Sequence, residues 1–158
     1  CLSHYSDRVH LIGRHDRKLN IARRQNIAVS MAEAGVSTGK MAAELGQFDL
    51  VVEATGAPDG IESALHLVRP EGRVVVKTTS NQRSEIDLAH VAVNELKLLG
   101  SRCGDLDAAL RFLENGWVDA APLIDAVYPF TRFPEAFHRA MEKTSLKIMV
   151  AMETDTLQ

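Results

Sequence analysis

Several short stretches of this sequence place charged or hydroxyl side chains beside small residues where the chain has to turn. Gly13-Arg14-His15 closes the β-type run Val9-His10-Leu11-Ile12. A guanidinium offers planar donors that match phosphate oxygens, and Arg17 and Lys18 add charge one helical turn on. Ala54-Thr55-Gly56 ends a nearly unbroken apolar run that begins at Phe48. There Gly56 permits close approach of a ligand to the backbone, and Thr55 offers a hydroxyl. Val76-Lys77-Thr78-Thr79 and Ser101-Arg102-Cys103-Gly104 follow two further apolar runs, and Lys147 lies in a last one. Each site has an ordinary alternative: a solvated basic turn at Arg14, a plain turn at Gly56, a rim charge at Lys77, a solvent-facing side chain at Arg102. Glu53, inside the apolar run, is read as a satisfied structural carboxylate under a pocket and not as an acid catalyst.

Other chemistries find little support. Cys1 and Cys103 are the two cysteines, too few and too far apart for a metal cluster or a disulfide framework. Cys103 has no adjacent base and is expected as a small pocket-wall residue rather than a nucleophile. The six histidines show no H-x-x-x-H spacing; His15 is kept as a candidate because it adjoins Arg14. No catalytic and no metal-binding residue is assigned. A net charge of −3 gives no electrostatic reason to expect nucleic acid or an anionic membrane as partner. No stretch approaches the ~18 apolar residues of a membrane span. The amino end has no signal-peptide pattern, and a reducing cytoplasmic setting suits the free thiols.

The elements that position these residues follow from periodicity. With 158 residues, 46% hydrophobic and 25% charged, the chain suits one soluble domain. Val9 to Ile12 is a strand. A polar helix follows, with Asp16 as its expected N-cap and Leu19, Ala22 and Arg23 at helical spacing. Ala28-Val29-Ser30 suits an edge strand, and Met31 to Leu45 suits a helix interrupted at residues 35–39. Phe48 to Ala54 suits a strand buried on both faces. Pro58-Asp59-Gly60 starts a helix with Ile61, Ala64, Leu65 and Val68 on its apolar side, and Pro70-Glu71-Gly72 is a turn. Arg73 to Lys77 is a strand, Ile86 to Val93 a short helix, and Leu96 to Gly100 another strand. Asp105 caps a helix bearing Leu106, Leu110 and Leu113, which ends at Asn115-Gly116. Ala126 to Phe130 is extended, Pro134 to Lys143 helical, and Leu146 to Val150 the final strand. Strand and helix alternate through short loops, so the class is α/β with a mostly parallel sheet.

The run F-D-L-V-V-E-A-T-G from Phe48, then a helix, then L-V-R-P-E-G-R-V-V-V, resembles the medium-chain, zinc-type alcohol dehydrogenase superfamily. Leu98-Leu99-Gly100-Ser101 resembles its sixth cofactor-domain strand. Asn115-Gly116 through Pro122-Leu123-Ile124 resembles its x-G-x-[LIV]-x-x-x-P-L-I segment, and Tyr128-Pro129-Phe130 with Pro134-Glu135-Ala136-Phe137 its [FY]-P-[LF]-x-x-x-x-E-A-F segment. The likeness runs in order along nearly the whole chain. It implies an incomplete doubly wound (Rossmann) parallel sheet, lacking the first strand and its glycine-rich turn. On this expectation the chain is the carboxy-terminal half of such an enzyme. Residues 1–122 are a partial dinucleotide-binding domain, and 123–158 belong to the catalytic domain.

The resemblance also implies site roles. Gly13 stands where NAD-preferring relatives carry a ribose-binding carboxylate. Gly13, Arg14, His15 and Lys18 then imply a 2′-phosphate site and NADP, with NAD as the other choice. Thr55 and Gly56 approach the cofactor ribose. Lys77 and Thr78 lie near the nicotinamide carboxamide, Arg102 meets phosphate or a substrate carboxylate, and Lys147 pairs with the pyrophosphate, with a charge but without arginine's fork. Zinc belongs to the missing catalytic half, so the chain alone is expected to be inactive. The implied reaction is hydride transfer between a small alcohol or carbonyl compound and nicotinamide. Homodimerisation through Leu96 to Ser101 is expected. Two other readings stay open: a non-catalytic nucleotide-binding module, and a zinc-independent, quinone reductase-like relative.

Overall fold

The computed structural model describes residues 2–6, 8–32, 38–142 and 144–152. They form two compact units, one of Cys1–Ala32 with Leu106–Gln158 and one of Glu33–Asp105. The expected interruption at residues 35–39 falls partly outside the described residues.

In the first unit, β1 (His10–Gly13) is followed by α1 (Asp16–Arg23) and by β2 (Ala28–Met31), which pairs parallel to β1. Leu19 and Ala22 fill the buried side of α1. The expected cap is corrected: His15 is the N-cap residue, and it makes no side-chain cap bond. Asp16 sits one position inside the helix, where its carboxylate accepts from Asn20 Nδ2 at 2.9 Å and Arg23 at 2.6 Å. A carboxylate in the first turn also meets the positive end of the helix dipole. Later in the chain come α5 (Leu106–Glu114), β6 (Ile124–Pro129), α6 (Phe133–Ala140) and β7 (Lys147–Ala151), with β6 and β7 parallel. Leu106, Leu110 and Leu113 of α5 are exposed.

The second unit contains α2 (Thr38–Leu45), β3 (Phe48–Glu53), α3 (Gly60–Leu67), β4 (Val68–Val76), α4 (Leu88–Val93) and β5 (Lys97–Gly100). Met31, which the expected helix included, lies in β2 instead. The strands form one parallel sheet in the order β3-β4-β5. Its core joins Ile61, Ala64 and Leu65 of α3 to Val68, Val74 and Leu96, and Val74 is fully buried. The α3 apolar side ends at Leu67, because Val68 already has extended backbone and opens β4. Pro70-Glu71-Gly72 does turn, but inside β4: Phe48 pairs with Val68 and Leu50 with Arg73, so the residues between bulge out. Glu71 takes a left-handed φ of 62° there.

β3 is not buried on both faces as expected. Leu50 is 45% and Val52 39% exposed. The strand lies at the edge of its sheet, with β4 on one side. α4 is held at its start by Asp87, whose carboxylate accepts from the Ala89 and His90 backbone N–H groups.

Candidate functional site

The carboxyl ends of β3 and β4 meet at one buried carboxylate. Glu53, the last residue of β3, is only 3% exposed. Its Oε1 accepts from the Thr55 backbone N–H at 2.7 Å, the Thr55 hydroxyl at 2.7 Å and the Thr78 hydroxyl at 2.8 Å. Both hydroxyls also accept: Thr55 Oγ1 from Ala57 N–H at 3.1 Å, and Thr78 Oγ1 from Gly56 N–H at 2.9 Å. Burial alone pushes the Glu53 carboxyl up. The bonds from Thr55 and Thr78 outweigh it and hold the group below its ordinary value. The structural reading of Glu53 fits this geometry: a buried charge satisfied by three donors.

Around this hub the chain turns sharply. Gly56 has φ +74°, and nothing lies within 4 Å of where a Cβ would stand. The position therefore has the left-handed backbone that suits glycine and open space for a ligand. Gly60, the first residue of α3, is present for a different reason: a Cβ there would come 2.5 Å from Glu53 Oε1 and into Thr55 Oγ1. Sequence reasoning missed Gly60. The available signal was a glycine at a helix start, seven residues after a carboxylate inside an apolar strand. A cleft of about 150 Å³ opens beside the hub, lined by Glu53, Thr78, Ser80 and Gln82 together with Ile61 and Leu98.

Lys77 is tied to the loop after β5. Its backbone N–H bonds Glu53 O at 2.8 Å, and its Nζ donates to Arg102 O at 2.9 Å. Arg102 is exposed, and so is the free thiol of Cys103, which does not line the cleft. The second unit thus brings together Thr55, Gly56 and Thr78, with Lys77 and Arg102 on the adjoining loops.

In the first unit, Gly13 ends β1, and a Cβ there would stand 3.0 Å from Leu19 Cδ2. Glycine here lets α1 come close to the strand. Arg14, His15 and Lys18 are exposed on the turn and first helical residues that follow. Arg17 points elsewhere: it bonds the Asp125 carboxylate on β6 and donates to Thr144 O at 3.0 Å. The Leu146 backbone N–H also donates to Asp125 at 2.7 Å. That bond first, then Arg17, holds the Asp125 carboxyl below its ordinary value against the opposing effect of burial. Lys147 is exposed on β7, paired in register with Ile124. Among the described residues no group of three or more His, Cys, Asp and Glu side chains gathers as metal ligands, so none of them is assigned to zinc.

A three-stranded parallel sheet in sequential order, with helical crossovers and a glycine turn at a strand's carboxyl end, defines half of a doubly wound, Rossmann-type α/β domain. The chain belongs to the zinc-binding dehydrogenase family, whose model matches residues 4–115. L-idonate 5-dehydrogenase (NAD(P)(+)) of Escherichia coli K12 is 32% identical over 104 residues, 65% of this chain and 30% of that one. Its crystal structure superposes with a TM-score of 0.79 at 26% identity, covering 90% of this chain and 42% of the other. D-arabitol-phosphate dehydrogenase of Enterococcus avium is 29% identical over 106 residues, again 65% and 30% of the two chains. An E. coli CFT073 short chain alcohol dehydrogenase complexed with NADH shares the fold at a TM-score of 0.81, with 21% identity and coverage of 90% and 44%. The matched part of the chain spans 30% of the length of these two curated relatives. No helix among the described residues is long and apolar enough to cross a membrane.

Proposed function

We propose that this chain supplies the cofactor-binding portion of an NAD(P)-dependent alcohol dehydrogenase-type oxidoreductase. The observation that carries the reading is the open glycine turn at Gly56, hydrogen-bonded to Thr78 on the loop after β4. Ligands of doubly wound sheets lie beyond the strands' carboxyl ends, and such a turn lets a dinucleotide reach the backbone. Bound nicotinamide supplies the hydride chemistry between a small alcohol or carbonyl compound and cofactor. The chain's own residues bind and orient. Thr55 and Gly56 border the ribose, Thr78 and the Lys77 backbone the carboxamide, and Arg102 a phosphate or substrate carboxylate. Arg14, His15 and Lys18, exposed beside Gly13, receive a 2′-phosphate and favour NADP, and Lys147 faces the pyrophosphate.

In this reading residues 123–158 serve the catalytic domain, and the working enzyme is cytoplasmic. It dimerises along the β5 edge, where Leu98 and Leu99 are exposed. The isolated chain holds cofactor without turning over substrate. Fluorescence titration with NADPH and NADH tests this. The expected result is saturable binding, tighter for NADPH, with Arg14→Ala weakening NADPH and sparing NADH. Absence of binding by either nucleotide overturns the reading. Alcohol-dependent NADP reduction by the chain alone overturns its inactivity.

A further inference from the structure

We propose that Glu53 acts as a positioning residue that makes the crest at the ends of β3 and β4 accept hydrogen bonds rather than donate them, selecting ligand hydroxyl or amide N–H groups and turning away phosphate. The inference rests on the cofactor-site reading above and adds the residue that sets which hydrogen-bonding groups this crest takes.

The argument is a count of protons. An ionised carboxylate only accepts, and a threonine hydroxyl has one proton and two lone pairs. Thr55 and Thr78 both give that proton to Glu53 Oε1. Each then uses one lone pair on a backbone N–H, of Ala57 and Gly56 respectively. One acceptor position is left on each hydroxyl, and no side-chain proton. The Gly56 N–H, the natural donor of a glycine turn toward an anion, is spent as well. Among the described residues, the bonds that hold this charge come from dipoles and none from a cation. The neighbouring Lys77 sends its ammonium to Arg102 O and Ser101 Oγ, on the loop after β5. A carboxylate this buried, neutralised by dipoles alone, leaves negative potential at the cleft it lines. At Thr55 and Thr78 a ribose hydroxyl or a carboxamide N–H finds acceptors; a phosphate oxygen at the same two hydroxyls meets lone pairs and like charge.

The test uses the full ¹⁵N-labelled chain and two neutralised stock solutions, adenosine and inorganic pyrophosphate, with the Gly56 and Thr78 amide signals as the readout. Adenosine is expected to shift both signals saturably, and pyrophosphate to leave them in place. Thr78→Val is expected to weaken adenosine about tenfold, the worth of one hydrogen bond, and Thr78→Ser to restore it. Glu53→Gln keeps an acceptor oxygen for the threonines but removes the negative charge and brings an NH2 donor, and is expected to narrow the adenosine-to-pyrophosphate preference about tenfold; a purely structural carboxylate would not change that ratio in the folded fraction. The inference is overturned if pyrophosphate moves Gly56 and Thr78 as adenosine does, if adenosine moves neither, or if Thr78→Val binds as tightly as Thr78→Ser. NADH binding measured in parallel separates the two ideas. Binding without an adenosine response removes this inference and leaves the cofactor reading standing.

Discussion

Two glycine turns, one at Gly13 in the first unit and one at Gly56 in the second, each follow a parallel strand, and they are built in opposite ways. Gly13 is favoured by a neighbour, since a Cβ there would stand 3.0 Å from Leu19 Cδ2 of α1. Gly56 is required by backbone conformation, with open space around it. The polar residues beside Gly13 are exposed on the turn. Those beside Gly56 are bound to a buried carboxylate. A turn of the first kind presents its side chains to solvent. A turn of the second kind has made its hydrogen-bond choices before any ligand arrives, which lowers the ordering cost of binding.

The sharpest way to break this contrast is Glu53→Ala. It takes the acceptor from three part-buried donors, and at the lower end of 1–3 kcal/mol for each unsatisfied group the loss should reach about 3 kcal/mol. Urea denaturation measures it; a loss no greater than that of Arg14→Ala would erase the distinction between the turns. Gly60→Ala comes next, with an expected loss of about 1–3 kcal/mol from overpacking against Thr55 and Glu53. Helix propensity favours alanine there, so any stabilisation would show that the hub yields easily.

Smaller effects sharpen the comparison. The folded carboxyl of Glu53 lies below its ordinary value of 4.5. Its stabilisation is therefore complete above that value and disappears as pH falls through the folded one. Stability curves of the wild-type chain and Glu53→Gln should converge in acid and separate toward neutrality; parallel curves would remove the carboxylate from the account. In the first unit, Arg17→Ala should cost less than either change at the hub. Arg17 is 56% exposed, although its partner Asp125 is only 5% exposed and keeps the Leu146 N–H. Amide exchange at Leu146 reports that loosening, and a loss as large as that of Gly60→Ala would contradict it. Arg14→Ala should leave stability within about 0.5 kcal/mol while lowering NADPH affinity.

Much of this was legible from residue order. The strands at Val9, Phe48, Arg73, Leu96 and Leu146 lie within a few residues of their observed positions, because apolar runs bounded by glycine and proline leave few other local structures. What failed was burial and capping. Asp16 serves its helix from inside the first turn instead of from the cap, a difference of one residue that spacing does not resolve. Leu50 and Val52 suit a strand covered on both faces, yet coverage depends on which strand lies alongside. Arg17 shares its turn with Lys18, and only the arrival of β6 turned it into a partner of Asp125.

By itself the sequence determined the βα order, the family and the glycine that ends β3, because these depend on short-range preference and on composition within a few residues. The tertiary structure alone decided where protons and charges reside. Glu53 and Thr78 are 25 residues apart, and their bond exists because β3 and β4 lie side by side. A hydroxyl in a sequence is both donor and acceptor. Which of the two it offers a ligand is fixed by the neighbours that folding brings to it.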